Sequence, residues 1–345
     1  MSEYLVTGAA GFIGSHIAEA LIARKDTPVI LDDMSAGNKT NLAVNPEAKI
    51  YIGSILDENL LNTICTEHDI EGIFHLGAVA SVKKSIENPA LIHQVNCTGT
   101  LSILEAARKH DIEKVVLSAS AAAYGDDPVF PKTEEMPPAP LSPYATSKIA
   151  AEMYLKNYTD LYGMKNTALR YFNVFGPRQD PNGEYAAVIS KFTERITKGQ
   201  AITIYGDGKQ TRDFVFVKDV AKANLLAMDN RTKTAADLFN IGTGIQTSLN
   251  DLAEMIMTAA GINVPVNYEA VREGDVRYSC ADIRKAEMIM TAAGIKVPVN
   301  YEAVREGDVR YSCADISKAE KVLGYKPSYT LLEGIKETVK AFEGK

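Results

Sequence analysis

The sequence predicts an α/β protein, a doubly wound parallel sheet with a smaller C-terminal α/β domain, and three observations carry that prediction. Short apolar runs alternate with amphipathic helical stretches over roughly the first 170 residues. The first run opens directly into a glycine-rich turn that starts a helix. Beyond about residue 175 the texture changes to loops rich in Gly, Pro and Asp, such as Gly176 to Gly183 and Gly206 to Asp213.

The expected strands are, in order, Tyr4 to Val6, Val29 to Leu31, Ile50 to Ile52, Gly72 to Leu76, Lys114 to Ser118 and Thr167 to Tyr171. Helical patterns between them make this a βαβ series, which lays strands parallel with helices on both faces. A chain of 345 residues exceeds most single cores, so residues 1–175 are assigned to the sheet domain, with some later segments returning to it, and 176–345 to the smaller domain. The formal net charge of −7, without a run of like charges, leaves no basic footprint for nucleic acid or an anionic membrane. No apolar stretch is long enough to span a bilayer, and the first strand leads into its turn too early for a secretory leader. Cys65, Cys97, Cys280 and Cys313 have neither CxxC nor metal-ligand spacing, so no metal site and a reduced, cytoplasmic protein are expected.

Residues 253–285 recur as 286–318, a tandem unit of 33 residues differing only at Asn263/Lys296 and Arg284/Ser317. Solenoids need three or more drifted repeats to bury a core. Two near-identical copies point instead to a recent duplication, natural or engineered, in which one copy is redundant and is looped out, packed elsewhere or exchanged between subunits.

Gly8-Ala9-Ala10-Gly11-Phe12-Ile13-Gly14 follows the first strand and opens a helix through Ile17 and Leu21. Glycine lets the backbone turn sharply and approach a pyrophosphate, whose charge the N–H groups at the helix start then bind. Asp32 ends the second strand, where a carboxylate accepts from ribose hydroxyls and repels a 2′-phosphate. Together these define a Rossmann-type site and favour NAD over NADP.

Ser118-Ala119-Ser120-Ala121-Ala122-Ala123-Tyr124-Gly125 follows the fifth expected strand, and Tyr144-Ala145-Thr146-Ser147-Lys148 starts a helix. Tyr144 and Lys148, four apart, share one helix face. A phenol is a poor base at neutral pH, but an adjacent ammonium and a cationic nicotinamide ring favour its phenolate. Ser120, Tyr144 and Lys148 are therefore the candidate catalytic residues.

With these motifs the chain resembles the extended short-chain dehydrogenase/reductases, specifically the NAD-dependent nucleotide-sugar epimerase/dehydratase group, over essentially its whole length. The resemblance puts the family's three glycines on Gly8, Gly11 and Gly14, with Phe12 and Ile13 between them, its ribose acid on Asp32 and its catalytic trio on Ser120, Tyr144 and Lys148. Asn96, in Val95-Asn96-Cys97-Thr98-Gly99-Thr100, matches the asparagine beside the cofactor. Where the family has Gly-Asp-Ile near the adenine, this chain has Gly53-Ser54-Ile55, which removes a carboxylate from the adenine amine and implies looser NAD. For a UDP-sugar, the resemblance implies Tyr124 on the sugar pocket, Asn173 by the diphosphate, Tyr205 and Arg212 in the loop whose arginine binds phosphate, and a second arginine with a uridine-ribose acid in Arg-Glu-Gly-Asp. That motif occurs twice, as Arg272/Asp275 and Arg305/Asp308. Copy two runs directly into the family's following segment, Ile316 to Tyr325, and is the favoured one, with copy one as the alternative.

Dehydratases and decarboxylases of the group carry acids just after the catalytic Ser; here those positions are Ala121 and Ala122, which argues for simple 4-epimerisation. The resemblance to the group's epimerases puts Ser279 or Ser312 beside the sugar's C2 substituent, a residue small enough to leave room for an N-acetyl group. The expected activity is thus a UDP-GlcNAc/UDP-GalNAc and UDP-Glc/UDP-Gal 4-epimerase. A 4-keto-sugar reductase, a UDP-glucuronate 4-epimerase and a non-catalytic NAD-binding protein with a disturbed substrate domain remain as alternatives. His75 reads as a packed, loop-supporting residue. The helices near 97–110 and 146–162 match those that pair in homodimers of relatives.

Overall fold

The computed structural model describes residues 1–43, 46–180, 188–230, 237–269 and 312–343. In chain order its first half comprises β1 (Glu3–Thr7), α1 (Phe12–Ala23), β2 (Thr27–Asp32), α2 (Lys39–Ala43), β3 (Lys49–Ile52), α3 (Glu58–Glu67), β4 (Ile70–His75), α4 (Val82–Glu87) and α5 (Pro89–Ile92). A π-helical turn (His93–Thr98), α6 (Gly99–Lys109), β5 (Val115–Ser120), a 3-10 turn (Ala121–Tyr124), α7 (Pro143–Tyr162) and β6 (Thr167–Tyr171) follow. The second half adds β7 (Asn173–Phe175), α8 (Val188–Thr197), β8 (Ile202–Tyr205), β9 (Thr211–Arg212), β10 (Phe214–Phe216), α9 (Val217–Asp229), β11 (Asp237–Ile241), β12 (Thr247–Ser248), α10 (Leu249–Ala260) and β13 (Val266–Glu269). It ends with α11 (Ser317–Leu323) and α12 (Leu331–Glu343).

The main sheet has seven parallel strands in the order β11-β6-β5-β4-β1-β2-β3. The strand order reverses between β1 and β4, and a doubly wound sheet opens a crevice for ligands at that switch point, beyond the carboxyl ends. Alternation along the inner strands loads both faces. Tyr4, Val6, Ile30, Phe74, Val116, Leu169 and Phe239 pack on α1 and α9, whereas Leu5, Val29, Leu31, Ile73, Val115 and Leu117 pack on α3, α6 and α7. The expected strands fall within a residue or two of those observed; the inner ones are written as short apolar runs because both their faces are buried, whereas β3 is an edge strand on which Ile50 and Ile52 are exposed.

A smaller core lies beside the sheet, where Ile189, Phe192 and Ile196 of α8 meet Ile202 and Ile204 of β8, Leu252 and Ile256 of α10, and Ile335 and Val339 of α12. β13 extends β8 in parallel register, Val266 opposite Ile202. The duplicated unit is divided between the two cores: copy one enters the smaller one, whereas copy two leads into Ile316 and α11, which pack on the main core. Copy one supplies most of α10 and all of β13, and copy two supplies Ser312 to Ala314 and the start of α11. Ala314 bridges Lys132, and Ser312 N donates to Thr211 O at 3.2 Å. Among the described residues, no helix is long and apolar enough to cross a membrane, and no His/Cys/Asp/Glu group could hold a metal ion.

Candidate active site

The turn after β1 is shaped by steric necessity. A Cβ on Gly8, whose φ is +73°, would stand 2.8 Å from Gly77 N, and one on Gly14 would stand 2.4 Å from Gly8 O. Gly11 caps α1 with no side chain, and the first turn contains no acid, so the leading N–H groups remain available to an anion. Phe12 and Ile13 open the helix and pack toward the smaller core. Asp32 lies buried at the end of β2. Its Oδ2 accepts from Ala10 N at 2.9 Å and its Oδ1 from Met34 N at 2.8 Å, which ties the loop after β2 to the glycine turn. Burial pushes its pKa up, against these two backbone bonds. Each carboxylate oxygen keeps a second acceptor position, as a vicinal ribose diol requires. The cradle therefore fits a dinucleotide. Ser54 turns its hydroxyl back to accept from Leu56 N at 3.2 Å, while Ile55 wedges against Gly99, where a Cβ would come within 2.5 Å of its Cδ1.

Asn96 sits in the π-helical turn, a distortion that proteins tend to place at functional sites. Its Oδ1 accepts from Val79 N at 2.8 Å, and its Nδ2 donates to Val79 O at 3.1 Å and to Ser147 Oγ at 2.9 Å. It thereby clamps the loop after β4 to α7. Behind it lies His75. Thr7 Oγ1 accepts from Leu76 N and Gly77 N at 3.1 and 3.0 Å, so it donates to His75 Nδ1 at 2.8 Å. Thr100 Oγ1 donates to Asn96 O at 2.6 Å, so it accepts from His75 Nε2 at 3.0 Å. This chain fixes a neutral imidazole protonated on Nε2. Burial pulls its pKa down to about 3, with the Lys148 charge acting the same way.

Ser120 ends β5, and its hydroxyl accepts from Ala122 N at 3.2 Å, starting the 3-10 turn. Pro143 and the Ser142 cap start α7, so Tyr144 and Lys148 occupy its first two turns beside β5. Tyr144 is half-buried, whereas Lys148 is 5% exposed and donates from Nζ to Ser118 O at 2.8 Å. Burial lowers the Lys148 pKa to about 8, against the opposing pull of Glu152 and Cys97. Tyr124 is buried behind Ser120: its hydroxyl donates to Asn240 Oδ1 at 2.6 Å and its ring lies 4.6 Å beneath the Arg170 guanidinium. It belongs to a buried polar network rather than to an open pocket wall.

On the opposite side of the crevice, Asn173 Nδ2 donates to Asp213 O at 3.0 Å and to Ser312 Oγ at 2.9 Å. Both amide protons are thus committed, and Oδ1 is the atom left for a ligand. Ser312 is buried, and its hydroxyl also accepts from Asp213 N at 3.2 Å. Tyr205 ends β8, and Arg212 of β9 donates to the neighbouring Thr211 O at 3.0 Å. Arg272, Asp275, Ser279, Arg305 and Asp308 lie outside the described residues.

A family model described as GDP-mannose 4,6 dehydratase matches residues 5–338. The chain belongs to the extended short-chain dehydrogenase/reductases of the nucleotide-sugar epimerase/dehydratase group. Three solved members are similar over nearly full length. The Thermotoga maritima UDP-glucose 4-epimerase with UDP-glucose is 39% identical, has a TM-score of 0.85 and shares coverage of 99% of each chain. The Methanobrevibacter ruminantium UDP-N-acetylglucosamine 4-epimerase, in complex with UDP-N-acetylmuramic acid, is 36% identical with a TM-score of 0.85, covering 100% of this chain and 99% of that one. The Thermus thermophilus UDP-glucose 4-epimerase in complex with NAD is 35% identical with a TM-score of 0.81 and 99% coverage of each chain.

Several residues that shape this short-chain dehydrogenase/reductase site escape motif reading. Asn41 is buried and donates from Nδ2 to Ala10 O at 2.9 Å, locking the loop after β2 onto the glycine turn. Buried Asp213 accepts from Thr243 N, Thr243 Oγ1, Gly244 N and Ala314 N at 2.7–3.0 Å. Glu152 and Arg170 form a buried two-pronged ion pair. A sequence signal for that pair existed. Arg170 is a charged residue inside an otherwise buried strand, and Glu152 stands one helical turn beyond Lys148.

Proposed function

We propose that this chain is an NAD-dependent UDP-hexose 4-epimerase that takes UDP-GlcNAc/UDP-GalNAc as well as UDP-Glc/UDP-Gal. The observation that carries this reading is that β5 ends on Ser120 while α7, which begins with Tyr144 and Lys148, packs on β5 with Lys148 bonded to Ser118 O, and alanine stands at 121 and 122. NAD, held by Gly8, Gly11, Gly14, Asp32 and Asn96, supplies reversible hydride acceptance at C4. Tyr144 takes the O4 proton as the C4 hydride leaves, and gives it back when the hydride returns to the other face of the 4-keto sugar, so atoms and electrons balance with no net oxidation. Ser120 hydrogen-bonds O4. Lys148 holds the cofactor ribose and lends its positive charge to the tyrosine oxygen.

Asn173, Tyr205, Arg212 and Ser312 form the sugar-nucleotide side, joined by one of Arg272 and Arg305 with its paired Asp275 or Asp308. The serine hydroxyl is turned onto Asn173 and Asp213, which supports room for an N-acetyl group at C2. Exposed Met153, Tyr154, Leu161 and Tyr162 on α7 support a homodimer built on α6 and α7. Buried, free Cys65, Cys97 and Cys313 support a reducing compartment, the cytoplasm.

The test follows the C4 epimer by NMR with UDP-GlcNAc and, separately, UDP-Glc, without added reductant. Conversion of both is expected. Conversion of UDP-Glc alone removes the argument from serine, and conversion of neither by NAD-loaded protein removes the epimerase. Arg272→Ala and Arg305→Ala, made separately, then identify the docked copy, because only one of them should raise KM sharply.

A further inference from the structure

The space between α7 and the sheet buries three charges where a minimal site would need one. Arg170, 3% exposed, donates from Nε to Glu152 Oε1 at 2.9 Å and from Nη2 to Oε2 at 2.7 Å. Glu152 stands one helical turn beyond Lys148 on the same helix face and its charge acts on the ammonium, yet both carboxylate oxygens turn to Arg170 while Lys148 donates to Ser118 O. Arg170 is well anchored for this task. It pairs in register with Ala119 on one side and Asn240 on the other, and its guanidinium covers the ring of Tyr124, which is itself tied to Asn240. The pair therefore joins the helix carrying Tyr144 and Lys148 to the turn that follows Ser120.

We propose that the Glu152–Arg170 ion pair is a positioning device for Lys148: Arg170 draws the carboxylate toward β6, so that Lys148 stays on Ser118 O instead of pairing with Glu152 directly. The inference rests on the epimerase reading for its consequence at Tyr144, but the placement of Lys148 stands independently of it. Had the carboxylate been free, it would capture the ammonium and quench the charge that favours the tyrosinate. Had it been absent, Arg170 would add a second uncompensated cation to the same buried space. Either change alters the lysine, and the two act in opposite directions.

The other groups around Lys148 do not substitute for the pair. Cys97 approaches from the π-helical turn and His75, neutral, from β4. On α4, Lys83 and Glu87 are exposed and pair with each other at 3.7 Å. Lys84 and His93 are exposed, and on α6 Glu105 and Arg108 pair with each other alongside Tyr158 and Tyr162, two to four turns further along α7.

The deciding experiment titrates Lys148 by NMR of protein labelled with 13C at lysine Cε, its signal assigned by its loss in K148M. Wild type, R170M, E152Q and the double variant E152Q/R170M are compared as purified NAD-loaded proteins. The lysine pKa should rise by about one unit in R170M, fall by about one unit in E152Q and return close to wild type in the double variant. The acid limb of kcat against pH should move with it, and R170M should lose about tenfold in kcat with little change in KM. A purely structural pair would lower Tm while leaving the Lys148 titration in place, and shifts of one sign in both single variants would overturn the proposal equally. Should R170M fail to fold, E152Q decides: an unmoved lysine overturns the inference. Opposite lysine shifts in protein that converts no UDP-hexose would retain the inference and remove the epimerase reading instead.

Discussion

The proposed cofactor side and the proposed sugar-nucleotide side of the crevice are built on different plans. On the cofactor side five residues sit at the carboxyl end of a parallel strand or just beyond it, Gly8 after β1, Asp32 at the end of β2, Ser54 after β3, His75 at the end of β4 and Ser120 at the end of β5, with Asn96 and Lys148 added from flanking helical segments. Once strand order is set, those strand-end residues converge without further instruction. The opposite side gathers Asn173, Arg212 and Ser312 from segments up to 139 residues apart, and the carboxylate of Asp213 accepts from three adjoining backbone N–H groups and the Thr243 hydroxyl. A site distributed along strand ends tolerates local damage, whereas a site gathered around one hub depends on that hub.

Four changes test this contrast, beginning with the largest. Tyr144→Phe removes the proposed base without touching the cradle. The rate of C4 epimerisation should fall about a thousandfold, with NAD content and Tm unchanged. Asp213→Ala leaves buried donors without an acceptor and should cost on the order of 3 kcal/mol in urea melts. It should also raise the KM for UDP-sugar at least tenfold while NAD retention holds. Equal loss of both ligands would break the comparison.

The third test is acid titration. His75 has a pKa of about 3 in the fold, against about 6.5 when unfolded. Between those values the unfolded chain binds the extra proton, so this contribution is complete above pH 6.5 and drains as the pH falls toward 3. Moving from pH 7 to pH 5 should cost on the order of 2 kcal/mol from this group, a slope that His75→Gln flattens. The fourth change is Ser54→Asp, which restores an acid near the adenine and should tighten NAD about fivefold, measured by calorimetry. No change in affinity would show that Ser54 is not at the adenine.

Legibility in the sequence follows the same division. Six strands of the sheet could be read because each is an apolar run bounded by turn residues, and Gly8 to Gly14, Asp32 and Tyr144 to Lys148 stand at fixed offsets from them. β11 could not be placed in the same way, because Leu238 to Ile241 resembles any short apolar segment and nothing local names β6 as its partner. The same holds for β8 with β13 and for β7 with β10, whose pairings are long-range. Asp213 was visible only as one acid in a loop. Its role depends on Thr243, Gly244 and Ala314, which the pattern around residue 213 does not mention.

The way the duplicated unit docks has a consequence for heredity. Copy one gives the lobe most of α10 and all of β13, and copy two gives the stretch from Ser312 into α11, so the span from Glu269 to Ser312 encloses 42 residues where a single copy would need nine. Removing residues 270–302 joins Glu269 to Ala303 and rebuilds the uninterrupted unit residue for residue. A gene carrying two such tracts in tandem can lose one in frame by slippage or recombination, and every docked element survives the loss. The lengthened form and its shortened descendant are thus neighbours one mutational event apart. A population carrying this gene is expected to contain both.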